Sequence, residues 1–69
     1  MIAPFAGKAP TIDASAFVVD SAIVVGDVAI GPDASIWFHA VVRGDVERIR
    51  IGARTNVQDN ATVHVTRDR

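Results

Sequence analysis

The side chains with the most chemical capability lie between residues 43 and 64. They form three short motifs, which are Arg-Gly-Asp at 43–45, Asn-Val-Gln-Asp at 56–59 and Val-His at 63–64. An imidazole can bind a metal ion or carry a proton near neutral pH. A guanidinium can hold a carboxylate through two parallel hydrogen bonds. These groups can act together only if the fold brings them together.

The aliphatic residues that must position these groups recur every six positions. All the key positions carry Ile or Val, namely Ile12, Val18, Val24, Ile30, Ile36, Val42, Ile51, Val57 and Val63. The step of nine between residues 42 and 51 indicates three inserted residues near Asp45–Arg48. Six residues span a short β-strand and a corner. The Asp, Gly, Pro and Ser residues between the aliphatic positions are typical of turns.

This six-residue period predicts an all-β chain folded as a solenoid. β-Branched residues suit strands better than helices, and leucine is absent from the sequence. Three strands per coil close a triangular prism, with coils stacked at about 4.8 Å. The sequence therefore predicts one domain, a hexapeptide-repeat parallel β-helix of about three coils over residues 12–69. Residues 1–11 are predicted to form a cap or edge segment.

Stacked coils turn sequence spacing into columns of side chains on the outer surface. Arg43 and His64 each follow a key aliphatic residue directly, so we expect them in one outward column, a single coil apart. Gln58 and Asp59 are expected on the adjoining face, above the aromatic pair Trp37 and Phe38. We interpret that aromatic pair as packing residues rather than as a substrate platform.

The composition argues against several classes of function. The chain has 7 basic and 8 acidic residues and a net charge of −1, so it lacks the charge for nucleic-acid or membrane-surface binding. Cysteine is absent, which excludes disulfides and thiolate metal sites. No apolar run approaches the ~20 residues that span a bilayer, and no signal peptide is recognisable. We expect a cytoplasmic protein without nucleic-acid or membrane partners.

Together, and inside hexapeptide repeats, the three motifs resemble those of the γ-class carbonic anhydrase family. The resemblance implies a left-handed β-helix and a homotrimer with metal sites between its subunits. It implies reversible hydration of CO2 to bicarbonate by a metal-bound hydroxide. His64 matches the first of three histidines that bind zinc, with iron or cobalt as alternatives. Gln58 matches a residue that hydrogen-bonds the metal-bound water.

The resemblance also assigns roles to four other polar residues. Arg43, Asp45 and Asp59 match charged residues near the site and the subunit contact, and Asn56 matches a polar neighbour of the site. Together with Gln58, these are the candidate catalytic residues.

The sequence departs from the family pattern in two respects. The two further histidine ligands of the family are missing, so we expect an N-terminal fragment that is inactive by itself. Val46 and Arg67 stand where well-studied relatives carry acidic residues for proton transfer, and we therefore expect slow turnover.

Other interpretations of the same residues remain open. His64 can be an ordinary exposed imidazole, and Arg43 with Asp45 can be a structural ion pair at a corner. Asn56 and Gln58 can bond exposed backbone. At the level of function, the alternatives are an acyl-CoA thioesterase or acyltransferase on the same scaffold, and a non-catalytic trimeric scaffold subunit.

Overall fold

The computed structural model describes residues 1–64, with side-chain detail at all of these except 46 and 47. Arg67 lies outside the described residues. The described part contains no helix, and hence none long and apolar enough to cross a membrane. Its strands are β1 (Ile2–Ala3), β2 (Thr11–Ile12), β3 (Phe17–Val18), β4 (Ile23–Ile30), β5 (Ser35–Ile36), β6 (Val41–Ile51), β7 (Asn56–Val57) and β8 (Thr62–His64). All pairs between these strands are parallel, which confirms the predicted all-β class and parallel β-helix.

The strands form three walls around a core. The first wall contains β1, the start of β4, the start of β6, and β8; the second contains β2 and the ends of β4 and β6. The third wall is the separate sheet β3-β5-β7. The key aliphatic residues stack directly on one another, in the columns Val24–Val42–Val63, Ile12–Ile30–Ile51 and Val18–Ile36–Val57. Strands β4 and β6 each extend over two walls, because they continue through a corner.

The core is made of the inward side chains of these strands. Along β4 every second residue is buried, as the two-residue period of a strand requires. The largest fully buried side chains are Ile36, Val24, Val28 and Val42. Burying an aliphatic side chain of this size contributes about 1.5–3 kcal/mol, so the stacked columns are the main source of stability.

The predicted insertion lies on β6 at the corner between the first and second walls. Gly26 pairs with Gly44, 18 residues later, whereas Val28 pairs with Ile49, 21 residues later. The three additional residues therefore lie between Gly44 and Ile49. The register on both sides of the corner keeps the aliphatic columns in line.

The other corners are tight turns that are hydrogen-bonded to the coil below. The residue three places after a key aliphatic has a positive φ at Asp33, His39, Arg54 and Asn60. The N–H groups of Asp33 and His39 donate to the hydroxyls of Ser15 (2.9 Å) and Ser21 (3.2 Å). His39 is therefore an exposed corner residue, in agreement with its position in the repeat.

The N-terminal segment covers the lower edge of the first wall. Strand β1 pairs with Val24 and Val25 of β4, and the amino group of Met1 donates to the carbonyl of Ala22. This pairing satisfies backbone groups that would otherwise form a free sheet edge. Of the segment predicted to be a cap or edge, Ile2 and Ala3 lie at this position.

Replacing a core aliphatic should cost far more than replacing an exposed one. Ile36→Ala removes a side chain that is 0% exposed, and we expect it to lower the free energy of unfolding by about 2–5 kcal/mol. Ile2→Ala is the matched control, because Ile2 is 52% exposed, and should cost under about 1 kcal/mol. Urea denaturation followed by circular dichroism measures both; equal costs would contradict the assigned core.

Candidate functional site

The first wall brings the predicted guanidinium and imidazole together. Arg43 of β6 and His64 of β8 are directly paired in the parallel ladder. Both side chains point outward, because the neighbouring Val42 is inward and fully buried. Asp45 lies beside them: Arg43 Nη2 donates to Asp45 Oδ2 at 2.8 Å, and His64 Nε2 is 3.1 Å from Asp45 Oδ1. The predicted outward column of Arg43 and His64 is confirmed.

The contact between His64 and Asp45 is close without being a hydrogen bond. His64 Nε2 and Asp45 Oδ1 are both shielded from solvent, and neither has a hydrogen-bond partner. At 3.1 Å they are within ion-pair distance, but the ring N–H direction does not align with the oxygen. A buried nitrogen and a buried carboxylate oxygen that face each other in this way require a proton or a cation to be satisfied.

The electrostatics of the cluster favour an ionised carboxylate. The hydrogen bond from Arg43 lowers the pKa of Asp45, and this effect outweighs the partial burial, which raises it. The charges of Arg43 and His64 lower the pKa further. Asp45 is therefore ionised beside the permanently charged guanidinium of Arg43 and the imidazole of His64.

A close contact between two backbones sets the position of Asp45. A Cβ added at Gly44 would lie 2.5 Å from the carbonyl oxygen of Asp27, and one added at Gly26 would lie 2.6 Å from that of Gly44. Gly26 also has a φ of +85°, a conformation that glycine adopts at little cost. The corner before Asp45 thus needs glycine in both coils.

An ion pair holds the other end of the inserted segment. Arg48 Nε lies 3.2 Å from Asp27 Oδ2, and the following Ile49 is buried. Asp45 therefore begins a segment whose two ends are both held against Asp27. The three sequence motifs did not include Asp27, Arg48 or Gly26. The repeated pattern Val-x-Gly-Asp-Val, at 24–28 and again at 42–46, was the signal in the sequence that could have identified this corner.

The remaining candidate residues lie on the third wall and its corner. Asn56 and Gln58 flank the buried Val57, so both side chains point outward, and Asp59 lies in the turn that follows. Asn56 Oδ1 accepts a hydrogen bond from the Ser35 hydroxyl, which accepts one from Trp37 Nε1 at 2.8 Å.

One chain therefore presents two separate groups of candidate residues. Within residues 1–64, no hydrogen bond or ion pair joins the amides of the third wall to the cluster on the first wall. The structure brings Arg43, Asp45 and His64 together, and it places Asn56 and Gln58 on a different face.

The donor set of the first wall fits part of a metal site. A neutral imidazole and an ionised carboxylate are both ligands that zinc accepts, and the unsatisfied atoms Nε2 and Oδ1 are the ones that face each other. Among the described residues no three His, Cys, Asp or Glu side chains are grouped closely enough to hold an ion. Any further ligands would have to come from another subunit or from outside residues 1–64.

Proteins with related sequences carry carbonic anhydrase names. No family model matches the chain. It is 53% identical over 64 residues to a carbonic anhydrase of Geobacillus kaustophilus (strain HTA426), which covers 93% of this chain and 35% of that protein. It is 53% identical over 60 residues to gamma carbonic anhydrase 1, mitochondrial, of Arabidopsis thaliana, covering 87% of this chain and 22% of that protein.

The fold matches that of a solved hexapeptide-repeat protein. A hexapeptide transferase family protein from Anaplasma phagocytophilum superposes with a TM-score of 0.88 at 47% identity, covering 90% of this chain and 37% of that one. This likeness confirms the predicted left-handed form of the β-helix. The chain spans between 22% and 37% of the length of these three proteins.

The glycine at the Arg-Gly-Asp corner should be irreplaceable. In Gly44→Ala the new methyl group meets the Asp27 carbonyl, which is backbone and cannot move aside, so we expect a loss of about 1–3 kcal/mol or more of stability. Gly52→Ala is the matched control, because its Cβ would meet only the Thr55 hydroxyl at 3.5 Å. Thermal unfolding of both variants measures the difference; a Gly44→Ala protein as stable as Gly52→Ala would contradict the close corner.

The ion pair of Asp45 should make stability depend on acid pH. Because the folded-state pKa of Asp45 is lowered, its contribution is present above the unfolded pKa of about 4 and is lost as pH falls through the folded value. Asp45→Asn and Arg43→Met should both lose less stability than the wild type between about pH 5 and pH 2. The urea midpoint of each protein, measured at several pH values in this range and in the presence of a chelator, reports this loss of stability. If both variants keep the wild-type slope, the ion pair does not stabilise the fold.

Proposed function

Because this chain belongs to the γ-carbonic-anhydrase-like family of hexapeptide-repeat proteins, we propose that the protein catalyses the reversible hydration of CO2 to bicarbonate. The observation that carries the proposal is the cluster of Arg43, Asp45 and His64 on the first wall, with contacts of 2.8 and 3.1 Å to the Asp45 carboxylate. The cluster places an imidazole beside an ionised carboxylate on rigid strands, which is the preorganisation that a metal-dependent site needs.

In this proposal His64 is the first protein ligand of a zinc ion, with iron or cobalt as alternatives. A catalytic zinc ion bound by imidazoles supplies a hydroxide nucleophile at neutral pH. The role of Asp45 is to keep a negative charge next to the imidazole of His64. Arg43 in turn holds Asp45, since its hydrogen bond to Oδ2 leaves Oδ1 facing His64.

The two groups of candidate residues support a homotrimer. A cyclic trimer has a heterologous interface, in which one face of a subunit meets a different face of the next. The first wall of one subunit would then meet the third wall of its neighbour, so that Gln58 and Asn56 approach His64 across the interface. In that arrangement Gln58 hydrogen-bonds the reacting water, and Asp59, at the corner of the third wall, lies at the subunit contact.

Exposed aromatic side chains on the third wall agree with this arrangement. Phe17 is 49% exposed and Phe38 48% exposed, and both lie next to Trp37. A cluster of large apolar side chains on an outer wall is typical of a surface that another subunit covers.

The cytoplasmic location expected from composition remains a prediction, since one relative carries a mitochondrial name.

Transfer of an acyl group is the second candidate function, because the structural neighbour is named a hexapeptide transferase. An acyltransferase needs a catalytic histidine on a protruding loop. Of the two histidines of the chain, His39 lies in a tight corner and His64 on a strand. Neither histidine of the described residues therefore lies on a protruding loop.

The proposal predicts that metal binding and CO2 hydration depend on His64. With the protein expressed from its whole reading frame, His64→Asn should lower bound metal per trimer and reduce kcat/KM for CO2 by at least about 100-fold. His39→Asn is the matched control, because asparagine tolerates the positive φ of that corner, and should leave both quantities unchanged. Metal analysis and stopped-flow hydration assays measure these effects.

Two outcomes of the same experiment would reject the proposal. A trimer that contains no zinc, iron or cobalt and does not hydrate CO2 would indicate a non-catalytic scaffold subunit. Hydrolysis or transfer of acyl-CoA without CO2 hydration would indicate the second candidate function. The mass of the assembly in solution tests the trimer independently.

A further inference from the structure

A chain of hydrogen bonds on the third wall ends at Asn56. The indole N–H of Trp37 donates to the Ser35 hydroxyl at 2.8 Å, and the same hydroxyl donates to Asn56 Oδ1. Ser35 is the first residue of β5, and Trp37 directly follows that strand. Asn56 is the direct partner of Ser35 in the coil above. The three groups therefore form one relay that connects two coils.

The chemistry of the three groups fixes the direction of the relay. An indole nitrogen can only donate, whereas a hydroxyl can accept one hydrogen bond and donate another. Because Ser35 accepts from Trp37, its own hydrogen is free for the carbonyl oxygen of Asn56. Hydrogen bonds arranged in this way strengthen one another. The Asn56 NH2 group then takes no part in the relay and is left to donate outward.

The relay is held by packing as well as by hydrogen bonds. The ring of Phe17, in the coil below, lies 5.1 Å from the Trp37 ring at an angle of 49°, an arrangement that aromatic pairs favour. Trp37 is partly buried, whereas Asn56 is exposed. The indole is thus the fixed end of the relay and the amide is its accessible end.

A second amide lies beside the first. Gln58 follows Asn56 by two residues and points outward on the same wall, with the buried Val57 between them. Two neighbouring amide groups can donate several N–H hydrogen bonds to one ligand. Such a pair suits a small planar anion whose atoms are acceptors, which is the chemistry of a carboxylate or of bicarbonate.

We propose that Ser35 and Trp37 are positioning residues that orient the Asn56 amide so that its NH2 group donates to an oxygen of bicarbonate bound against Asn56 and Gln58. The choice of bicarbonate among planar oxyanions rests on the proposed function, whose product it is. The relay keeps the acceptor end of the amide occupied, so that Asn56 presents donors to the anion. A freely rotating amide would present its carbonyl oxygen in half of its orientations and would repel the anion.

The test uses Trp37 as its own reporter, because its indole N–H is the first donor of the relay; the Trp37→Phe variant assigns its cross-peak. Sodium bicarbonate is titrated into the protein expressed from its whole reading frame, at fixed pH and ionic strength, while the Trp37 indole N–H cross-peak is followed by NMR. Sodium chloride and sodium acetate are the comparison anions. In the wild type we expect a saturable shift with bicarbonate and none with chloride; a saturable shift with acetate as well would mean that the pair recognises carboxylates in general and would overturn the assignment to bicarbonate.

Three variants separate positioning from general stability. Ser35→Ala should abolish the shift of the indole cross-peak and weaken bicarbonate binding by about 5- to 10-fold, the effect of one hydrogen bond. Ser35→Thr keeps the hydroxyl and should restore both. Ser15→Ala is the matched control, since Ser15 also bonds through its hydroxyl but lies at a lower corner, and should behave as the wild type.

Kinetics give a second measurement that a purely structural role would not change. In the dehydration direction, Ser35→Ala should raise KM for bicarbonate by about 5-fold with kcat nearly unchanged. Trp37→Phe keeps an aromatic ring against Phe17 but removes the N–H donor, so it should have the same effect even if Ser35→Ala fails to fold.

The outcomes distinguish this inference from the proposed function. If CO2 is hydrated and Ser35→Ala matches Ser15→Ala in both measurements, the inference is wrong and the proposed function stands. If bicarbonate shifts the indole in the wild type and in Ser35→Thr but not in Ser35→Ala, while no CO2 hydration is detected, the relay stands and the proposed function fails. The absence of any bicarbonate shift in the wild type would overturn the inference.

Discussion

The stacking of each β-branched residue directly on its counterpart in the coil below is the constraint on which the rest of this structure depends. In a strand, side chains alternate between two faces, so a shift of one residue would turn every inward side chain outward. The column Val24–Val42–Val63 therefore determines more than the core. It also requires the residues that follow, Arg43 and His64, to lie side by side on the outer surface.

The candidate site is found where the six-residue period is interrupted. In the coil below, which keeps the period, β4 passes through the same corner without additional residues. The three additional residues instead allow Asp45 to reach between Arg43 and His64, while the contact of Gly44 with the backbone of the coil below and the pair of Arg48 with Asp27 close the ends of the segment. A regular scaffold thus supplies rigidity, and a local irregularity supplies the chemistry.

The division of polar groups between two walls connects catalysis with assembly. The first wall carries a charged cluster, and the third wall carries amides above a row of aromatic rings. Among the described residues of one chain, no hydrogen bond or ion pair joins these two groups. Under the proposed function, the active site is completed between subunits, and the hydrogen-bond relay on the third wall prepares one subunit's amide for a ligand held at its neighbour.

The repeat of Ile and Val determined the fold class, the columns and the place of the insertion, because β-branched residues that pack inward at a six-residue period suit stacked short strands. It also placed Arg43 beside His64. Only the tertiary structure decided that Asp45 contacts both of them, that Asp27 and Arg48 close the inserted segment, and that Ser35 and Trp37 orient Asn56. These contacts depend on side-chain directions and on backbone approach at irregular corners, to which a six-residue period assigns no geometry.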